Sequence, residues 1–310
     1  MSMLETNNIK QPRMFKKKKK NDLYLSDKQP LTVAGKIALV ASYIFLALWA
    51  IAVILPISQI ISSSFNGGQA NRIIIGGEFL FSFKHFETLF TETQYLRWLW
   101  NTLFISITTV IIVVLMVSFT GYAYSRYRFK GKKASLLTVM LVQTIPTFAG
   151  LTAYFTMYSI ASDIVPAFTR QMMLILIYSG GGIAGNTIIL KGYLDSISTE
   201  LDDAAKIDGC SSMKIYRLII MPIARPMLAI IALWSFIGPF GDYMLPKILL
   251  NSSADYTLAA GLRTLITDQR TLNEPAFAAG ALLTAIPIVI LFVILQKQLV
   301  SGLSNGATKG

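Results

Sequence analysis

The chain has one cysteine, Cys210, and one histidine, His85, among 310 residues. A single thiol cannot close a disulfide within the chain, and no Cys/His set exists to hold zinc. Charge is scarce too: 14% of the residues are Asp, Glu, Lys or Arg, well below an ordinary soluble domain. No G-x-x-x-x-G-K-[S/T] phosphate loop occurs, so this chain does not hydrolyse ATP by itself. The shortage of His, Cys and intramembrane carboxylates also argues against a membrane enzyme.

What the sequence has in abundance is apolar surface, at 54% of residues. Crossing a hydrocarbon core takes about 20 mostly apolar residues, and six segments meet that length: 35–61, 101–124, 134–160, 171–190, 226–250 and 276–300. The predicted fold class is an all-α integral membrane protein with six transmembrane helices. Its expected organisation is a basic tail over 1–34, a first membrane helix over 35–61, an outer loop over 62–100, a core over 101–300 and a C-terminal tail over 301–310. The first apolar stretch is too long for a signal peptide and is expected to remain as an anchor. The fourth segment is the least hydrophobic, because Ser179, Gly180, Gly181, Gly182, Gly185 and Asn186 dilute it. Small residues permit close helix packing in lipid, which predicts a buried position.

The net charge of +12 follows topology, because the basic residues avoid the apolar segments. Twenty-one Lys and Arg fall in the N-terminal tail, the loops 125–133 and 191–225, and the C-terminal end, against seven in the alternate loops. Cytoplasmic loops hold the excess of cations, so both termini are expected inside. The lysine run 16–20 suits anionic lipid headgroups. Nucleic acid is not an expected partner, whereas membrane lipid is. Trp98 and Trp100 suit headgroup anchors, and Trp49 and Trp234 are open to anchoring or to lining a path.

The loop over 191–225 holds the most ordered pattern in the chain. Thr199 stands as a cap with Asp202 three residues on, and Glu200, Asp202 and Asp203 place negative charge in the first helical turn. Leu201, Ala204, Ala205 and Asp208 recur at helical spacing, giving one narrow face with two methyl groups at its centre. Gly209 is placed to end the helix in a left-handed conformation. A second helix is predicted from about Ser211 until Pro222 and Pro226 end or kink it. An inner loop lying on lipid would call for bulky apolar and basic residues in place of two alanines among acids.

Asp203, Ala204, Ala205, Gly209, Ile219, Met221 and Pro222 resemble, position by position, the EAA motif of bacterial ATP-binding-cassette importer membrane subunits, with Asp203 for glutamate and Met221 for leucine. The passages GYAYSRYRFKGKK (121–133), YTLAAGL (256–262) and LVSGLSNGATKG (299–310) are similar to the carbohydrate branch, and in particular to the second membrane subunit of maltose and maltodextrin importers. The resemblance implies a non-enzymatic permease subunit of the type I importer fold in a bacterial cytoplasmic membrane. It implies a distinct second membrane subunit, two copies of an ATPase that holds ATP and Mg, and an external sugar-binding protein. No cofactor is expected in this chain.

On the same resemblance, Thr199, Asp203, Ala204, Ala205, Asp208, Gly209, Ile219 and Pro222 carry the coupling to the ATPase. The stretch about Arg263, Thr264, Thr267, Asp268, Gln269 and Arg270 is the counterpart of a loop that reaches the binding protein. The tail after Leu299 is the counterpart of one that enters the ATPase interface, with Gly302, Gly306 and Gly310 making it pliable. Charged or amide groups inside a membrane are costly and therefore functional candidates. Gln143, Asn186, Asp242 and Tyr243 are accordingly expected either to hydrogen-bond a sugar in the path or to pack between helices. Two alternatives stand beside this reading: the same machinery carrying another oligosaccharide, a polyol or a glycerol phosphate, and a self-sufficient carrier or channel. The latter finds no buried charge pairs for coupling and leaves the ordered loop unexplained.

Overall fold

The computed structural model describes residues 32–68, 72–73, 78–145, 147–270 and 272–307. Residues 1–31, with the lysine run, and residues 308–310 lie outside them. The contacts divide the chain into two units, 1–57 and 58–310. The first unit contains most of α1 (Val33–Phe65), a helix longer than expected whose side chains over 33–57 are almost all exposed apolar groups. Five helices among the described residues are long and apolar enough to cross a membrane: α1, α3 (Tyr95–Arg126), α6 (Arg170–Asp195), α8 (Ser212–Gly241) and α11 (Glu274–Leu299 in its apolar part).

The expected third span is not one continuous helix. It consists of α4 (Lys132–Gln143), a 3-10 turn (Thr147–Gly150) and α5 (Leu151–Ile164). The sequence places Pro146 at the interruption, and a proline pushes the residue before it out of the helical region. Each piece is too short to cross alone. Composition continued the apolar run across a break that backbone chemistry imposes.

The outer stretch before α3 is also more ordered than a loop. It contains α2 (Lys84–Thr91), and Phe65, Phe81, Phe83 and Phe86 form a ring cluster with centroid distances of 5.0 to 6.1 Å. The fifth span ends at Gly241, earlier than expected. Asp242 interrupts it, and α9 (Met244–Leu249) follows as a separate turn.

In the second unit α3 and α6 form the central pair, flanked by α8 and then α11. Part of the low hydrophobicity of α6 has the expected cause, at Ser179 and Gly182, while Gly180 and Gly181 face open space. A Cβ on Gly121 would lie 2.8 Å from Leu190, and one on Gly182 would lie 3.0 Å from Val113. Helix association in lipid relies on such van der Waals contact between close backbones. Thr120 and Thr187 add a 2.8 Å hydroxyl bond across the seam.

Pro222 and Pro226 do not end α8. The segment Tyr216–Ile220 winds as a π turn, in which the Met221 amide donates to the Tyr216 carbonyl, and the helix then continues to Gly241. A wide turn just ahead of a proline takes up the local mismatch of a ring that lacks an amide donor. The second half of the inner loop and the fifth span are therefore one helix. The last helix keeps its backbone winding to Ala307, so Gly302 and Gly306 lie within helix and not in a thin tail.

Candidate functional site: a helix clamped beneath the bundle

The inner loop folds into α7 (Glu200–Ile207), a turn, and the start of α8. Gly209 has φ +78 and the turn is a complete Schellman pair: the Cys210 amide donates to Ala205 O at 2.9 Å and the Gly209 amide to Lys206 O at 3.0 Å. A Cβ on Gly209 would touch nothing within 4 Å, so the requirement for glycine is one of backbone conformation only. Ser211 then caps α8 through the Lys214 amide.

The start of α7 differs from the expected capping box. Thr199 makes no side-chain cap and has helical dihedrals; the Ser198 hydroxyl accepts from the Glu200 amide at 3.2 Å instead. Asp202 is turned inward, where its Oδ2 meets Arg126 Nε at 2.7 Å, with the two side chains 7% and 8% exposed. Arg126 is the last residue of α3. Its remaining nitrogens donate to Leu194 O and Ile197 O, both at 3.1 Å, at the end of α6. One guanidinium thus joins the ends of α3 and α6 to the first turn of α7. The sequence reading missed both partners. The only available signal was an arginine ending a span inside the 121–133 passage, with no indication of what it would meet.

The expected alanine face is divided. Ala205 is buried in a cluster with Val113, Val117, Tyr122, Leu190, Leu194, Ile215 and Ile220. Leu201, Ala204 and Asp208 are exposed on the other side, as is Ile207 at 87%. Asp202 and Ala205 hold the helix to its own chain, so the free face is Leu201, Ala204, Ile207 and Asp208. Asp203 is exposed and accepts from Lys206 at 2.8 Å. That hydrogen bond raises the Lys206 pKa above the ordinary lysine value. Ile219 and Pro222 are half-buried, and Ile219 packs against the same cluster.

At the opposite end of the bundle, the stretch expected to be a sugar-protein contact loop is mostly helical. Arg263, Thr264 and Thr267 belong to α10 (Leu258–Thr267), and Asp268, Gln269 and Arg270 form the exposed turn after it. Helix α10 sits close on α3: a Cβ on Gly261 would fall 2.1 Å from the Trp98 ring, and Thr102 Oγ1 accepts from the Leu258 amide at 2.7 Å. Trp98 is 3% exposed and its Nε1 donates to Ser253 O at 2.7 Å. It is a packing residue, whereas Trp100 is 69% exposed.

The four polar residues expected within the spans are dispersed. Asp242 Oδ2 accepts from the Tyr178 hydroxyl at 2.9 Å and its Oδ1 from the Leu245 amide at 3.3 Å, so it starts α9 while tying α8 to α6. Tyr243 lies under the Arg263 guanidinium, 5.5 Å from its ring centre. Gln143 is exposed beside Gly185. Asn186 donates to Gly182 O at 2.8 Å and lines a cleft of about 170 Å³ with Thr109, Tyr178, Trp234 and Ser235. Among the described residues no group of three or more His, Cys, Asp or Glu is placed to hold a metal.

A bundle of apolar helices with a clamped, acidic helix at one end defines a helical membrane protein. Residues 117–305 match the model of the family described as "binding-protein-dependent transport system inner membrane component", and the chain belongs to that family. It is 42% identical over 271 residues to the maltodextrin transport system permease protein MdxG of Bacillus subtilis, covering 87% of this chain and 96% of the relative. It is 41% identical over 285 residues to the galactooligosaccharides transport system permease protein GanQ of the same organism, covering 90% and 99%. A crystal structure of a bacterial ABC transporter that imports the acidic polysaccharide alginate shares the fold, with TM-score 0.70 at 20% identity over 87% of this chain and 99% of that one. The chain is thus a permease subunit of the ABC importer type.

Proposed function

We propose that this chain is one of two distinct membrane subunits of an ATP-driven oligosaccharide importer in a bacterial cytoplasmic membrane, with both termini cytoplasmic. A partner ATPase, present in two copies, holds ATP and Mg, and an external binding protein delivers the sugar. The observation that carries the coupling role is the clamped helix α7. Its Leu201, Ala204, Ile207 and Asp208 face is exposed, while Asp202 and Ala205 fix it to the ends of α3 and α6. A force on that face passes through the Gly209 turn into α8, a rod of 30 residues and so roughly 45 Å long.

Maltodextrin is the leading cargo, supported by the MdxG likeness at 42% identity. Galactooligosaccharide is the second reading, because the GanQ likeness is nearly as high and covers more of both chains. Reconstituted complex separates them. ATPase activity stimulated by binding protein loaded with maltotriose supports the first reading. Stimulation by a galactooligosaccharide alone replaces it with the second, and stimulation only by raffinose or glycerol phosphate overturns both.

A further inference from the structure

The turn between α3 and α4 gathers cations that nothing in the chain neutralises. Arg128, Lys132 and Lys133 line an open cavity with Phe129, Gly131 and Ala134, and Lys130 stands among them in sequence. No Asp or Glu lines it. Among the described residues Arg128, Lys130 and Lys133 have no hydrogen-bond or ion-pair partner, while Lys132 donates to the Tyr127 carbonyl at 3.1 Å. Lys132 and Lys133 also open α4, where the helix dipole disfavours a cation, and its first turn holds no acid. An excess of cations orients a loop, yet that role is met anywhere in the loop and does not call for the least favourable place.

The turn is held in one shape. Gly131 has φ +86, its carbonyl accepts from the Ser135 amide at 2.8 Å, and the Tyr124 hydroxyl donates to Ser135 Oγ at 2.9 Å while its ring lies 5.5 Å from Phe129. The cations are therefore presented on a fixed frame, which lowers the ordering cost of binding. Beyond the cavity the surface turns apolar. Leu137, Met140 and Leu141 are 59%, 53% and 67% exposed, and they follow Lys133 at i+4, i+7 and i+8, on one helix face. Leu141 thus lies about 12 Å along the axis from Lys133. The cavity volume of 510 Å³ equals about seventeen liquid-water volumes, room for a phosphodiester head group.

We infer that this turn is a binding site for one anionic phospholipid, in the leaflet at the C-terminal end of α3. Arg128, Lys130 and Lys133 meet its phosphate, and an acyl chain lies along Leu137, Met140 and Leu141. A phospholipid carries charge and apolar length in the order that this surface presents them, and long cationic side chains can cover apolar surface with their stems while their heads reach the phosphate. An acidic protein surface would meet the cations and leave the leucine stripe bare. Arg126, which fastens α3 to α7, directly precedes the turn, so the lipid sits at the flank of that clamp.

The test uses the full-length chain in detergent, titrated with phosphatidylglycerol or phosphatidylcholine and read by native mass spectrometry and thermal unfolding. The parent should retain one phosphatidylglycerol and melt at a higher temperature with it, and should gain nothing from phosphatidylcholine. Arg128→Gln with Lys133→Gln should weaken that binding about thirtyfold, roughly fivefold for each cation removed. Its lipid-free melting temperature should match the parent, because neither side chain has a partner in the chain. Lys214→Gln with Arg217→Gln, an equal charge loss on exposed residues elsewhere, should bind the lipid as the parent does. Leu137→Ser with Leu141→Ser should weaken binding with the charge intact. Equal behaviour of the two charge pairs overturns the inference, and so does undiminished binding in the leucine pair. Displacement of the lipid by millimolar inorganic phosphate overturns it as well, since the cavity would then be a small-anion site.

Discussion

Arg126 and Asp202 meet at 2.7 Å across 76 residues of sequence, each almost wholly withdrawn from solvent. Arg126 ends α3, where the helix dipole favours a cation, and Asp202 stands in the first turn of α7, where it favours an anion. The pair therefore gains from two helix ends as well as from mutual attraction. It places α7 under the ends of the central α3 and α6 pair.

Arg126→Ala leaves Asp202 as a lone buried anion and two carbonyls without their donor. Breaking one side of such a pair costs about 3 to 5 kcal/mol. Hydrogen exchange over 196–215 should become much faster and the ATPase should no longer copurify. The reverse, protection equal to the parent, would show that Ala205 and its cluster hold α7 without the ion pair. Arg126→Lys should restore only part of the effect, because one ammonium cannot reach Asp202 and both carbonyls as the fork does.

Gly209→Ala should destabilise the turn by about 1 to 2 kcal/mol, the cost of the left-handed conformation for a residue with a Cβ. Gly192→Ala is the control. That position is exposed inside α6, its Cβ would meet nothing within 4 Å and its φ is negative, so it should gain roughly 0.5 to 1 kcal/mol. Thermal unfolding in detergent reads both signs. Equal shifts in the two variants would rule out a conformational cause at Gly209.

Gly261→Ala forces a methyl into the Trp98 ring, which α2, α3, α10 and α11 enclose in one apolar cluster. Overpacking of this kind costs about 1 to 3 kcal/mol. Gly181→Ala, with open space around it, should be tolerated. The comparison is read as the temperature at which each variant loses its folded peak in size-exclusion chromatography.

Ile207→Glu changes an 87% exposed side chain and should leave the melting temperature within a degree or two, as surface changes do. Copurification of the ATPase should fall at least tenfold. Ala205→Glu should instead unfold the loop, since that methyl is buried. If Ile207→Glu binds the ATPase normally, the free face of α7 is not the docking surface.

Much of this protein could be read without coordinates. Six apolar runs, a bias of cations to one set of loops, two alanines between acids and a glycine at the helix end are local properties. They gave the class, the helical content and the place of the short helix α7 and its turn, because hydrophobic length and φ > 0 are decided within a few residues. What lay beyond local pattern was read less well. The third span breaks at 144–150, α8 runs on through prolines that were expected to end or kink it, and the expected contact loop is in part the helix α10.

The two faces of α7 show where the division falls. The sequence alone established that Leu201, Ala204, Ala205 and Asp208 share helical spacing and that Asp202 suits a first turn. It did not decide that Asp202 would leave the cap for Arg126, or that Ala205 would turn inward while Ala204 stayed free. Those outcomes depend on which helix ends and which faces meet across distant parts of the chain, and packing alone settles that.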